Sequence, residues 1–522
     1  MILGDAARRP AERPLNSSRV TIDEVLRCLA RQRPDAPALV DAENHQSFTD
    51  GKPRRLSYAE ADRTVAAIAR RLRSMELPTD SIIGIQLPNI VENILTMLGV
   101  MRAEMIAAPL PLLWRRAEAV EALGRIDAKA LITCGHVGTF DHAGFARHLA
   151  ADVFSIRYVC AFGQNLPDGV VPFDDLMAAE TSDPVGQCDW GRQGNASSHV
   201  AAVTFDTGDD GIVPVARSHS ELLAGGLAVL LEGRLSPKVN ILSAVAPASF
   251  AGLSLTLLPW LLSGGTLALH HPFEPDVLTR QVPEHRCGAV ILPGPVAFAL
   301  PETGIFAGAE RISVIAAWRS PELVAVSPAW HETNSEFIDV SIFGETAIVP
   351  ARRGADGKPS RILLGRQTLP RDQIDGLAIG EFLQNEIGNL AVRGSMVPNH
   401  SFPPGIERSS LPHFKIGAEG LVDTGYFCRV ESATQAISVT GPPSGVACVG
   451  GYRFPLRHLQ NAVGCIEDGA TLVVLPDPLT GQRLIGNAPD RTAIQAALSA
   501  AGANPIVVGA FRDRSAFGVV GA

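Results

Sequence analysis

The chain has 522 residues, and no apolar run in it approaches the roughly 18 residues of a membrane-spanning helix. Cys-x-x-Cys pairs are missing too. The eight cysteines lie far apart, so neither a disulfide framework nor a zinc site is expected, and each reads as a small buried thiol. No segment repeats at a fixed period, which excludes a solenoid or propeller. Positive charge is in deficit, with 45 Lys and Arg against 54 Asp and Glu, a net charge of −9. That balance argues against general attraction to nucleic acid or an anionic membrane, and leaves small molecules or proteins as expected partners. Met1 to Val20 carries Arg8, Arg9 and Arg13 with no apolar segment after them. A secretory leader is therefore not expected there, and the cytoplasm is the expected compartment. The oligomeric state is left open.

What is present is the composition of a packed globular protein, 46% hydrophobic and 19% charged. The length exceeds one ordinary core. Short apolar runs alternate with amphipathic helical patterns, the signature of α/β layering. Thr21-Ile22-Asp23-Glu24 and Ser57-Tyr58-Ala59-Glu60 each have capping-box spacing and predict helix starts. Ser81 to Ile85 reads as a strand, ended at Pro88-Asn89 and followed by a helix over Val91 to Val100. Further strands are expected at His199–Phe205, Thr266–Leu269, Ala289–Leu292, Ser313–Ala317 and Leu390–Val392. Ala178–Ser198, Pro350–Arg371 and Ser395–Pro412 read as surface connections. The largest shift in composition comes at Gly441-Pro442-Pro443-Ser444-Gly445, predicting a large domain over 1–440 and a small one over 441–522.

One segment combines a phosphate loop's outline with the wrong charge. Thr204-Phe205-Asp206-Thr207-Gly208-Asp209-Asp210-Gly211-Ile212-Val213-Pro214, closed by Ser218-His219, has the glycines and hydroxyls of such a loop. It carries three aspartates and no lysine, and so would repel a triphosphate unless metal ions intervened.

In order along the chain, several motifs resemble those of the acyl- and aryl-CoA synthetase branch of the adenylate-forming superfamily. They are Leu56-Ser57-Tyr58-Ala59-Glu60, Gln86-Leu87-Pro88-Asn89, Ala107-Ala108-Pro109-Leu110-Pro111 and the loop above. Ser341-Ile342-Phe343-Gly344-Glu345-Thr346-Ala347 is similar to the family's Tyr-Gly-x-Thr-Glu motif, Gly388 to Gly394 to its Gly-Glu-Leu-x-Val-x-Gly strand, and Gly441 to Gln460 to its hinge region. The resemblance runs from Thr21 to about Ser515. It implies stacked α/β subdomains and a small distorted β-barrel, then a small α+β C-terminal domain that rotates about the hinge. It also implies AMP-forming ligation of a small carboxylic acid or acyl group to a thiol, with ATP, magnesium and CoA as cofactors.

Carried over residue by residue, the resemblance places Thr204, Thr207, Phe343, Gly344, Thr346 and Tyr426 at nucleotide positions. Phe343 stands at the adenine-stacking aromatic, and Tyr426 where an aspartate would hold the ribose. Phe250 and Trp318 fall at the acyl pocket and Gly445 at the hinge. Departures are many: Ile212 or Val213 stands for the loop lysine, Ala347 for the magnesium-binding glutamate, Pro442 for the hinge arginine and Cys448 for a following lysine. Pro505 to Ala522 has no lysine for adenylation. No catalytic residue and no metal ligand is thereby assigned.

Two functions are left standing. One is an acyl-CoA synthetase-like ligase with a rebuilt site, in which Arg217, Arg393 or Arg453 supplies positive charge and Asp206, Asp209 and Asp210 bind magnesium. The other is a noncatalytic relative that binds an acyl group, a nucleotide or a protein, its loop an ordinary acidic turn. Elsewhere, His270-His271 should point to opposite faces at a surface strand end, which makes a shared metal improbable. Ser218-His219 is expected to start a helix, with no third group to complete a catalytic set.

Overall fold

The computed structural model describes residues 20–177, 195–308, 311–370 and 377–512. Most of Ala178–Ser198 and the end of Pro505–Ala522 therefore lie outside the described residues.

Two large sheets share one core. In one, five consecutive neighbours, Ser335–Phe343, Ile312–Trp318, Cys287–Pro293, Asn240–Ser243 and Leu267–Leu269, run parallel to one another and to Pro37–Val40. Ala347–Arg352 and Arg55–Ser57 are its antiparallel edges. The other sheet has seven strands, with Ile82–Ile85 and Ile106–Pro109 near its centre and Val200–Gly208 paired to Gly211–Ser218 at one edge. Between them the helix Val91–Arg102 is buried along its whole length, its Asn93 and Arg102 donating to backbone carbonyls and its Glu92 paired with Arg54. Gly99 lets that helix approach Tyr58–Ser74 closely, since a Cβ there would lie 2.7 Å from the Ile68 Cβ. The capping boxes of Thr21 and Ser57 are both formed.

Six strands from Ile362 to Gly441 form an antiparallel ladder whose two end strands, Ile362–Leu363 and Gly365–Leu369, are one residue apart in sequence. The sheet must curl until its edges meet, and this is the expected barrel-like unit. These end strands fall within Pro350–Arg371, so that segment is not the plain connection its Gly, Pro and Arg content predicted. Backbone pairing outweighed composition there. The last unit is a four-stranded antiparallel sheet backed by helices Leu456–Ile466 and Arg491–Ala500, with two small cores of its own.

Gly344, Gly425 and Gly451 have the positive φ that turns require. Gly394 does not. There a Cβ would lie 2.6 Å from the Gly380 Cα, so the glycine serves close approach of two strands. Seven cysteines fall among the described residues and all are free thiols; Cys28 and Cys465 are exposed, unlike the buried state expected.

Candidate functional site

The parallel strands all end on the same side, and the chain leaving them lines a cavity of about 450 Å³. Ala244, Pro293, Arg319 and Gly344 each lie at or just beyond the carboxyl end of a strand of the eight-stranded sheet. Leu87 and Pro111 hold equivalent places on the seven-stranded sheet. Open α/β sheets form ligand crevices at this end, where successive turns diverge. The lid comes from the C-terminal sheet, through Cys448, Gly451, Tyr452, Arg453 and Thr480.

The acidic segment is a closed hairpin. Phe205 pairs with Pro214, Asp206 with Val213, Thr207 with Ile212 and Gly208 with Gly211, which leaves Asp209 and Asp210 exposed at the tip. Alternate backbone N–H groups pair across the ladder, and the outward ones of Thr207 and Ile212 donate to Asp206 Oδ1 and Glu121 Oε1 instead of facing a ligand. Each aspartate meets the C-terminal unit. Asp206 accepts from Arg453, Asp210 pairs with Arg457 at 2.9 Å, and a Cβ on Gly445 would lie 2.5 Å from Asp209 Oδ1. The three carboxylates do not converge as a magnesium site would require.

Glu345 lies beneath the hairpin. Its carboxylate accepts from the Phe250 N–H at 2.8 Å, and its own N–H donates to Asp206 Oδ2 at 2.9 Å. Burial, followed by the charge of Asp206, pushes its pKa up to about 7. Arg217, fully buried, donates to the carbonyls of Met396, Glu345 and Thr346 and lies 3.6 Å from the Phe250 ring centroid. Its charge serves the core. Arg393 pairs on the surface with Glu381 and Glu419. Of the three arginines considered as replacements, Arg453 alone lines the cavity.

Thr207, Gly344, Tyr426 and Trp318 line the cavity, whereas Thr204, Phe343, Thr346 and Phe250 are buried behind its wall. Phe343 packs edge-on against Tyr426, with ring centroids 5.4 Å apart. The Tyr426 hydroxyl accepts from Arg453 at 2.7 Å and donates to the Arg319 carbonyl at 3.4 Å. Trp318 donates its indole N–H to Asp339 at 2.8 Å. Gly445, with φ of +74°, abuts the hairpin tip. Sequence reasoning missed Arg319, Tyr452, His271 and Asn89 as lining residues. Arg319 left a signal, a lone arginine at the end of the apolar run Ile312–Trp318.

The histidine pair corrects one expectation. His270 is buried, with Nδ1 2.7 Å from Gln281 Oε1 and Nε2 accepting from the Glu274 N–H, so it is a satisfied core residue and not a surface strand end. His271 does reach the cavity, where burial and the nearby histidines hold its pKa down at about 4. Ser218 caps the helix His219–Glu232, and His219 accepts from the Ile22 N–H.

Among the described residues, one buried group has metal-ligand spacing: Asp41, His45 and Glu92. Asp41 already accepts from the Val91 and Arg54 N–H groups and lies 3.0 Å from His45 Nδ1, while Arg54 pairs with Glu92 at 2.5 Å. Burial lowers the His45 pKa, but the Asp41 hydrogen bond and the charges of Asp41 and Glu92 outweigh that and leave it raised. Asp41 is thus held by His45 and two backbone N–H groups and Glu92 by Arg54, with no ion needed to partner them.

The model of the AMP-binding enzyme family matches residues 26–325. The chain belongs to that family. It is 25% identical over 503 residues to a salicyl-AMP ligase / salicyl-S-ArCP synthetase of Mycobacterium tuberculosis, covering 89% of this chain and 80% of that one. Its fold is similar to the amide bond synthetase McbA of Marinactinospora thermotolerans, with a TM-score of 0.67, 18% identity and 94% of each chain covered. It is similar also to MbtA of Mycobacterium smegmatis, with a TM-score of 0.60, 19% identity, and 94% and 90% covered. These two likenesses are of fold. Within the described residues no helix of this family member is long and apolar enough to cross a membrane.

Proposed function

We propose that this chain is an acid-activating member of the AMP-binding family whose cavity takes a small carboxylic acid, and whose nucleotide end binds magnesium-ATP weakly. The observation that carries the reading is the closed hairpin. Where a triphosphate would need free N–H groups and a cation, the chain offers a paired ladder, Asp206 held by Arg453, and the buried carboxyl of Glu345. Adenylation then runs far below ordinary ligase rates, since each missing preorganised donor costs on the order of 100-fold. Thr207, Gly344 and Tyr426 are the nucleotide-side contacts under this reading, Trp318 walls the acid side, and Gly445 is the pivot. The two domains are 1–440 and 441–522.

CoA is not singled out as the acceptor. The salicyl-AMP ligase is named for a carrier-protein acceptor and McbA for an amide product, so the acceptor class does not transfer by resemblance.

The test is pyrophosphate exchange into ATP over a panel of aromatic and short aliphatic acids, with calorimetry of magnesium-ATP alongside. Exchange near background and an ATP Kd weaker than about 1 mM, or about −4 kcal/mol, are expected. A micromolar Kd, about −8 kcal/mol, would overturn the weak-ATP half of the reading. A second reading, a fully active ligase, draws on family membership and on two arginines, Arg319 and Arg453, lining the cavity where a lysine is missing. Robust exchange with any acid would favour it.

A further inference from the structure

Four charged side chains line the cavity: Asp206, Glu345, Arg319 and Arg453. Three are engaged by the protein. Asp206 and Arg453 form an ion pair, Arg453 also donates to Tyr426, and Glu345 accepts from the Phe250 N–H. Arg319 differs. Its guanidinium has one hydrogen bond, a long one of 3.3 Å from Nη2 to Ser249 Oγ, and no carboxylate within ion-pair distance among the described residues. Burial lowers its pKa, yet an arginine stays protonated at neutral pH. Arg319 is half-buried at the cavity wall, and a guanidinium with no carboxylate at ion-pair distance is stabilised when an anion enters its fork.

We propose that Arg319 is the anion-recognition residue of this cavity, and that it takes the carboxylate of a monocarboxylic acid with a compact apolar body. The proposal rests on the reading that the cavity accepts a carboxylic acid.

Charge and shape both point to that ligand class. The Asp206–Arg453 pair cancels itself, and Glu345, beyond ion-pair distance of Arg319, has its carboxyl bonded to the Phe250 N–H and its pKa raised to about 7. Arg319 is therefore open to one carboxylate, while a polyanion would add charge against Asp206. The guanidinium has Ser249 beside it, and the cavity wall beyond includes apolar Val245, Pro293, Pro295, Ala317 and Trp318. Such a surface suits a ring or short branched chain and offers little to a sugar. Gly451 of the C-terminal lid explains why Arg319 is held in place: any Cβ there would overlap its side-chain stem. Arg319 thus sits where strand end, acid wall and lid meet. It is a binding residue for the ligand's charge, with no bond made or broken through it.

The experiment compares the full-length chain with Arg319→Gln and Arg319→Lys in calorimetric titrations with benzoate, salicylate, 3-methylbutanoate, benzamide, AMP and pyrophosphate. Thermal midpoints check that each variant folds. At least one monocarboxylate should bind the unsubstituted chain, lose about tenfold to hundredfold in affinity in Arg319→Gln, and recover in part in Arg319→Lys. Benzamide, lacking the charge, should bind the unsubstituted chain and Arg319→Gln alike. Equal binding of the acid by the chain and by folded Arg319→Gln would overturn the role of Arg319 and leave the acid-binding reading standing. If AMP or pyrophosphate binds and is lost in Arg319→Gln while the acids are unaffected, Arg319 holds phosphate and the carboxylate assignment falls. Failure of every acid to bind the unsubstituted chain would overturn this proposal together with the reading beneath it.

Discussion

Arg453 reaches across 247 positions of sequence to Asp206, binding the C-terminal lid to the hairpin that stands where a phosphate loop is expected. Four residues further along each segment, Arg457 meets Asp210. The first pair is largely shielded, with side chains 14% and 17% exposed, whereas the second is open at 61% and 74%. Shielding decides which pair matters, because water screens an exposed pair to almost nothing.

The two pairs should therefore behave differently when broken. Asp206→Asn or Arg453→Gln should weaken lid docking by on the order of 2 kcal/mol, and the double variant should show coupling of similar size. Asp210→Asn should change docking by less than about 1 kcal/mol. Limited proteolysis at Gly441–Gly445 measures this, and faster cleavage in Asp210→Asn than in Asp206→Asn would contradict the ranking.

Glu345 should make stability fall as pH rises. Its folded pKa, about 7, stands above the ordinary carboxyl value of 4.5, so the folded state binds the proton more tightly than the unfolded chain. Its contribution is fully present below about 4.5 and is lost as pH climbs through about 7, a swing of about 3 kcal/mol. Glu345→Gln mimics the protonated form and should stabilise the protein at pH 8 while leaving it unchanged near pH 5. Thermal midpoints of both proteins at the two pH values check this.

Gly344→Ala and Gly304→Ala form a matched pair. Both glycines have positive φ, +55° and +72°, but an added Cβ at 304 meets nothing within 4 Å, whereas at 344 it overlaps Asp206 and Arg453. Gly304→Ala should cost about 1 kcal/mol from backbone strain alone. Gly344→Ala should cost more and also loosen the lid, read by denaturant melts and by the same proteolysis assay.

Trp318→Ala should widen the acid side of the cavity. The indole packs against Gly294 and Phe298 and donates to Asp339, so its removal should cost about 3–5 kcal/mol of stability. In the surviving fold, bulkier acids should gain affinity relative to benzoate. An unchanged ranking of acids would place the acid elsewhere.

How much could be read before folding depended on the range of the interaction. Capping boxes at Thr21 and Ser57, the strands at Ala289–Leu292 and Ser313–Ala317, and the layered α/β class follow from periodicity and local hydrogen bonding, which neighbours in sequence dictate. The missing lysine of the acidic segment was legible in the same way. Tertiary structure alone decided what the charges do. It closed Asp206 through Gly211 into a hairpin, sent Arg217 into the core beneath carbonyls, buried Glu345 until its carboxyl resists ionising, and left Arg319 facing the cavity without a counter-charge. Charge and hydrogen bonding act through space and depend on burial, so residues more than a hundred positions apart set one another's state.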